Sequence, residues 1–366
     1  MKNWLFRSSF IRLLKKTILK PQGFRFHKKQ YLFEKSLGKA PFISYVPDVF
    51  GIQITFRCNF RCPTCLFLLK DPQALDKGND MSLEKFNWIL EKFRGDIKMV
   101  GLSGGEPTLH PQFPEIVKSV KSRNLKLAMS TNGTLITKRL NDLKYFDKIN
   151  VSLDGVDCQS FKKLRNGTEK QYNDIIEGIR LLRDTGIPFN LSFLLFEENL
   201  SEINKILAFA EEMRPRLLNL HSGNPHGSGG WTPLFINSPK VCSFLQEILK
   251  NNNHSFSIRL PIIFDPDSKN FKEQICPLLW SNVYIGWNGD MAYCCHLEPN
   301  PIIGNIFQDY NLNNPLMVQF RKAMMNHQYS KDCLYCQRRF VNVFPGYFDA
   351  KRKKWKLPSF YNKLKL

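Results

Sequence analysis

Short β-rich runs and helical runs alternate six times between residues 51 and 223. The β-rich runs are "GIQITF" (51–56), "IKMVGLSGG" (97–105), "LKLAMSTNG" (125–133), "KINVSLDG" (148–155), "PFNLSFLLF" (188–196) and "LLNLHSG" (217–223). Between them lie segments with helical spacing. "SLEKFNWILEKF" (82–93) puts Phe86, Ile89, Leu90 and Phe93 on one face with Ser82 as N-cap. "FPEIVKSVKSRN", "YNDIIEGIRLLRDTG" closed by Gly186, and "EINKILAFAEEM" follow the same logic. Strand–helix units in series predict parallel strands, as a barrel or an open sheet. Residues able to do chemistry fall just after the strands: Cys58, Gly104, Thr131, Asp154 and His221. In a βα barrel those positions share one face.

The formal charge of +21 is concentrated at the ends. Residues 1–40 carry a net +10 and residues 337–366 a net +8, which leaves +3 for residues 41–336. A nucleic-acid protein would carry its charge on the body that reads the nucleic acid, so that partner is not expected. The opening "MKNWLFRSSFIRLLKKTILK" is broken by Arg7, Arg12, Lys15 and Lys16, so no secretory apolar core forms. No run approaches the ~20 apolar residues of a membrane span. Wound as a helix, Phe6, Phe10, Leu13, Leu14 and Ile18 oppose Arg12, Lys15, Lys16 and Lys20. Such a helix docks on the protein's own core or on an anionic membrane surface. Ten cysteines, seven of them at metal-ligand spacings, point to a reducing cytoplasm.

Residues 58–65 read "CNFRCPTC". Three thiolates on one tight loop suit an iron–sulfur cluster with one iron left open. Zinc, with a remote fourth ligand, satisfies the same spacing. The other strand ends add to this loop. "SGGEPTLHP" (103–111) offers backbone N–H groups at Gly104 and Gly105 beside the Glu106 carboxylate. "STNGT" (130–134) and "VSLDG" (151–155) add Thr131, Asn132, Ser152 and Asp154, and "KLRNGT" (163–168) adds the Arg165 fork. Singly these motifs are weak. In this order, each at a strand end, they describe a pocket for an ammonium, a carboxylate and a ribose beside an open iron.

This set resembles the radical S-adenosylmethionine (SAM) superfamily, over residues 49–260 or so. The resemblance implies a partial (βα)6 TIM-like barrel with a small C-terminal iron–sulfur β/α extension. It implies that Cys58, Cys62 and Cys65 hold a [4Fe–4S] cluster, with SAM on the open iron. Gly104, Gly105 and Glu106 would then meet the SAM amino group, and Arg165 its carboxylate. Thr131 and Asn132 match the third strand end, and Ser152 and Asp154 the ribose-binding fourth. The family usually has an aromatic residue before the third cysteine, where this chain has Thr64. One-electron cleavage of SAM would give methionine and a 5′-deoxyadenosyl radical that abstracts hydrogen from a substrate. An external donor such as flavodoxin or ferredoxin would supply the electron.

Cys276, Cys294, Cys333 and Cys336 form a second set, admitting zinc or [4Fe–4S] on spacing. It resembles a twitch domain, a shortened SPASM extension. That implies one auxiliary [4Fe–4S] cluster, because no cysteine follows Cys336. Cys295 competes with Cys294 as the ligand. Cys158 and Cys242 read as ordinary half-buried thiols, and His221 and His226 as structural, with substrate contact as the alternative.

The expected organisation is a basic extension (1–48), the barrel (49–262), the auxiliary cluster domain (263–340) and a basic tail (341–366). The expected function is a radical SAM enzyme whose auxiliary cluster transfers electrons or binds substrate. The substrate is a peptide, a sugar-like molecule or a lipid. A non-catalytic iron–sulfur carrier or sensor is the reading from another class, and it would not need Glu106, Asp154 and Arg165 together.

Overall fold

The structure, a computed structural model, describes residues 21–76, 78–223, 230–250, 253–294, 302–334, 336, 339 and 346–357. The amphipathic segment 1–20, His226 and Cys295 lie outside the described residues.

The six expected strands are present as β1 (Val49–Thr55), β2 (Met99–Gly104), β3 (Lys126–Thr131), β4 (Lys148–Ser152), β5 (Phe189–Leu195) and β6 (Leu217–Ser222). They pair in parallel and in sequence order. Three of the helices between them start at side-chain caps. Ser82 accepts from Lys85 N and opens Leu83–Lys92. Thr168 and Gln171 close a capping box at the start of Glu169–Asp184. Asp157 and Ser160 do the same for Cys158–Arg165, which ends at Asn166 in the left-handed region, φ 52°.

Two further parallel strands extend the sheet. β7 (Ser257–Arg259) pairs with β6, and β8 (Asn282–Ile285) pairs with β1. Beyond β8 lie β9 (Asp290–Ala292) and β10 (Ile302–Asn305), both antiparallel. Beyond β7 lies a hairpin of β11 (Tyr347–Asp349) and β12 (Lys354–Lys356). The auxiliary segment and part of the basic tail are thus edges of the same twelve-stranded sheet.

The two faces of the parallel strands differ in chemistry. Ile52, Leu102, Met129, Val151, Leu191 and Leu218 point to the helices and are at most 2% exposed. The opposite face turns into the curve of the sheet and carries Gln53, Ser103, Ser130, Asn150, Ser192 and Asn219. Asn190 Nδ2 donates to Asn150 Oδ1 at 2.9 Å across this face. None of β1–β7 contains an Asp or Glu. The lumen is therefore polar and free of acidic side chains along its strands, while Ser103 and Ser130 remain open to solvent.

The segment before β1 is tied to the auxiliary region through Arg321, which is 1% exposed. Its Nε donates to Leu279 O at 2.9 Å, and its Nη1 to Pro41 O, Leu312 O and Asn313 Oδ1, each at 3.1 Å. Burial lowers its pKa to about 10. Arg321→Leu would take the donor from Leu279 O, which is buried, and from Pro41 O and Leu312 O, which are partly buried. A loss of roughly 3 kcal/mol is expected, read as a lower urea midpoint with an unchanged m-value.

Among the described residues, no helix is long and apolar enough to cross a membrane.

Candidate functional site

The loop 56–65 leaves β1 and is fixed at its start by backbone and side chain together. Thr55 Oγ1 donates to Asp80 Oδ1 at 2.6 Å and accepts from Arg57 N at 3.0 Å, while Arg57 Nε donates to Asp80 Oδ2 at 2.8 Å. Arg61 Nη1 donates to Cys58 O and Phe60 O, both at 2.9 Å, and Arg61 pairs with Asp76. Cys65 N closes a turn on Cys62 O. Phe60 is the anchor beneath the loop, 2% exposed, edge-on to Phe161. These contacts leave Cys58, Cys62 and Cys65 half-buried.

Gly104 and Gly105 let β2 lie against this loop. Gly105 N donates to Thr55 O at 3.0 Å and Glu106 N to Arg57 O at 2.7 Å. A Cβ on Gly104 (φ +149°) would stand 2.1 Å from Thr55 O, and one on Gly105 would stand 2.3 Å from Arg57 O. No side chain fits either place.

Glu106 is 1% exposed and ties two strand ends together. Oε1 accepts from Thr108 N (3.2 Å), Thr108 Oγ1 (2.6 Å) and Thr131 Oγ1 (2.7 Å), and Oε2 accepts from Asn132 N at 2.6 Å. Burial pushes its pKa up, and those hydrogen bonds pull the other way. Oε2 keeps a lone pair for one more donor. Asn132 turns to the cysteine loop, donating through Nδ2 to Asn59 Oδ1 at 2.7 Å. Asn59 in turn donates to Thr134 Oγ1 and accepts at its carbonyl from Gln171 Nε2.

At the fourth strand end, Asp154 adopts φ +63°. Its Oδ1 accepts from Leu194 N at 2.8 Å, and its Oδ2 from Arg165 Nη1 at 3.0 Å. Arg165 lies over the Phe60 ring, and its buried Nε has no hydrogen-bond partner. Ser152 ends β4, half-buried in the lumen.

Electrostatics show that these groups share one site. Burial pushes the Cys58 thiol up to about 11, with Glu106 and Cys62 adding to the rise and Arg165 opposing it. Burial also raises Cys62, against Arg165. Burial disfavours charge on Arg165, but Cys62, Asp154 and Cys58 more than offset it. Among the described residues, no three His, Cys, Asp or Glu side chains converge on a point that would hold a single metal ion. A cubane cluster asks less, one thiolate per iron, with the three sulfurs spread around it. The donor set fits that group: three soft thiols on one loop, an arginine to balance them, and an unpartnered buried N–H beside them.

The sequence reading missed Asn59, Thr108 and Asp80. Asn59 lies inside "CNFRC", so its position was visible, but its partners come from segments more than seventy residues away.

The auxiliary cysteines are placed by β9 and by a turn. Cys276 precedes a short helix, Leu278–Ser281, and Cys294 follows β9. Cys333 and Cys336 share a turn in which Cys336 N donates to Cys333 O at 3.3 Å. Cys276, Cys333 and Cys336 all act electrostatically on Arg339. His221 is half-buried at the end of β6, opposite Leu194. Cys158 is half-buried at a helix start, and Cys242 Sγ faces Ile236 O at 3.8 Å.

Glu106→Gln keeps the side-chain shape but turns an acceptor into a donor facing a donor. It is expected to weaken SAM binding at least tenfold while iron on the Cys58–Cys65 loop is retained. Equilibrium dialysis with labelled SAM, alongside iron analysis, checks this, and unchanged affinity removes Glu106 from the site.

Comparison with known proteins bears on both cysteine sets. Residues 52–210 match the family model of the radical SAM superfamily, and residues 276–337 match SPASM, an iron–sulfur cluster-binding domain. A probable GTP 3′,8-cyclase of Sulfurisphaera tokodaii is 33% identical over 213 residues, covering 57% of this chain and 65% of that protein. The antilisterial bacteriocin subtilosin biosynthesis protein AlbA of Bacillus subtilis is 26% identical over 293 residues, covering 77% of this chain and 63% of AlbA. The chain thus spans less than two thirds of the length of these curated relatives. Among solved structures, Streptococcus suis SuiB bound to its precursor peptide SuiA superposes with a TM-score of 0.63 at 16% identity, over 82% of this chain and 72% of SuiB. At that identity the likeness is one of fold.

Proposed function

The chain belongs to the radical SAM superfamily and carries a C-terminal SPASM-type iron–sulfur domain, and from this premise we propose an enzyme that abstracts hydrogen from a peptide substrate. The observation that carries the reading is the convergence of three strand ends on the Cys58–Cys65 loop, through Gly105, Glu106, Asn132 and the Asp154–Arg165 pair.

When bound, the [4Fe–4S] cluster and SAM supply a one-electron reductive cleavage and a carbon-centred oxidant able to take a hydrogen atom from an unactivated C–H bond. The protein's part is placement. Cys58, Cys62 and Cys65 would hold three of its irons. Gly104 and Gly105 would let backbone line the cofactor, and Glu106 Oε2 would accept from its ammonium. Arg165, whose buried Nε has no partner, would meet the carboxylate, and Asp154 and Ser152 would meet the ribose. Thr131 and Asn132 hold the Glu106 carboxylate in place. The electron comes from an external donor such as flavodoxin or ferredoxin.

The substrate class follows from the lumen. Gln53, Ser103, Ser130, Asn150, Ser192 and Asn219 present neutral donors and acceptors with no acidic side chain on the strands. Such a wall suits the donors and acceptors of a peptide backbone better than a lipid chain. The likeness to AlbA and to the SuiB fold supports the same reading. Reconstituted protein reduced with dithionite in the presence of SAM is expected to release 5′-deoxyadenosine. Comparison of small peptides between a deletion strain and its parent is expected to show a mass change in a peptide. A changed sugar or lipid with unchanged peptides would replace the substrate class and leave the chemistry standing.

A further inference from the structure

Arg339 is 1% exposed, an uncommon burial for an arginine. Its backbone N donates to Cys336 O at 3.1 Å, so it closes the turn that carries the C-x2-C pair. Its Nη2 donates to Leu334 O at 2.9 Å, between the two cysteines in sequence, and to Phe271 O at 2.8 Å, on the segment leading to Cys276. The guanidinium packs over two rings, Tyr329 at 4.0 Å and Phe271 at 5.2 Å. The cation is thus fixed among the segments that supply three of the four auxiliary cysteines.

We propose that Arg339 tunes the auxiliary iron–sulfur site: its buried charge holds the cluster at a higher reduction potential than the four thiolates alone would give. Reduction adds a negative charge to the cluster, and a fixed cation among the segments that carry its ligands favours that state. Burial keeps solvent ions from screening the pair. Arg321 provides the contrast. It is just as buried, but its hydrogen bonds go to Leu279 O, Pro41 O, Leu312 O and Asn313 Oδ1, none of them on the Cys333–Cys336 turn. A higher potential suits a cluster that accepts an electron from a substrate radical.

The inference rests on the auxiliary-cluster reading, and its test separates the two. In full-length Cys58→Ala/Cys62→Ala/Cys65→Ala protein, only the auxiliary cluster can contribute to an EPR-monitored redox titration. Arg339→Met in that background should change the reduced-to-oxidised ratio at a fixed potential at least tenfold towards oxidised, about 59 mV for a one-electron couple. Arg339→Lys should recover at least half of that shift, and Arg321→Lys should leave the potential where it was. If Arg339→Met fails to hold iron while Arg339→Lys holds it, the charge is needed for assembly, which supports the proposal. An iron-loaded Arg339→Met protein with unchanged potential overturns it. So does loss of iron in both Met and Lys variants, which would make Arg339 a geometric strut. A background protein without iron refutes the cluster reading and the inference with it.

Discussion

Replacing Cys58, Cys62 and Cys65 together by alanine is expected to lower bound iron from about eight to about four per chain and to abolish 5′-deoxyadenosine formation. The expectation comes from the separation of the two cysteine sets. The first sits on a loop whose contacts run to β2, β3 and the Asp154–Arg165 pair. The second depends on β9, the Cys333–Cys336 turn and Arg339. No hydrogen bond described above links the two sets. Removing three half-buried thiols, of which burial pushes Cys58 and Cys62 up, should cost little stability. The triple variant should therefore unfold within about 1 kcal/mol of its parent. Iron and zinc analysis of the anaerobically purified variant decides the matter. Zinc without iron would mean the C-terminal set is a structural zinc site.

Gly105→Ala is the second large effect. The added Cβ would stand 2.3 Å from Arg57 O and 2.7 Å from Phe56 O, both backbone atoms of the cysteine loop. No flexible side-chain end can move aside, so the loop itself must shift. A loss of roughly 3 kcal/mol or more is expected, with SAM affinity reduced at least a hundredfold and the auxiliary iron retained. Gly186→Ala is the control. Its φ of +70° also disfavours alanine, but nothing lies within 4 Å of the new methyl, so about 1 kcal/mol is expected. Equal effects at the two positions would show that general backbone strain, not the cradle, is being measured.

The central strands were legible because amphipathic helices alternate with them, and their bounds moved by only a few residues. β8 was not legible as part of the barrel sheet. Its four residues, Asn282–Ile285, pair with a strand more than 200 positions earlier, and nothing local to "NVYI" announces that partner. The β11–β12 hairpin hid in a run read as a basic tail, since alternating lysines leave only Phe348 and Trp355 to mark its packed face. In the site, the motif residues were legible one by one, and their mutual contacts were not. Glu106 read as a group facing a ligand, and the structure gives it four hydrogen bonds from its own chain. Two of those bonds come from Thr108, two residues away, but only the parallel pairing of β2 with β3 brings Thr131 and Asn132 beside it.

We propose that the Cys58–Cys65 loop holds a cluster with an iron open to SAM. EPR of the dithionite-reduced protein, recorded with and without SAM, tests it most directly. SAM is expected to shift the g-values of one of two overlapping signals, and that signal should be missing from the Cys58→Ala/Cys62→Ala/Cys65→Ala protein. Spectra of the intact, iron-loaded protein that are identical with and without saturating SAM would contradict it.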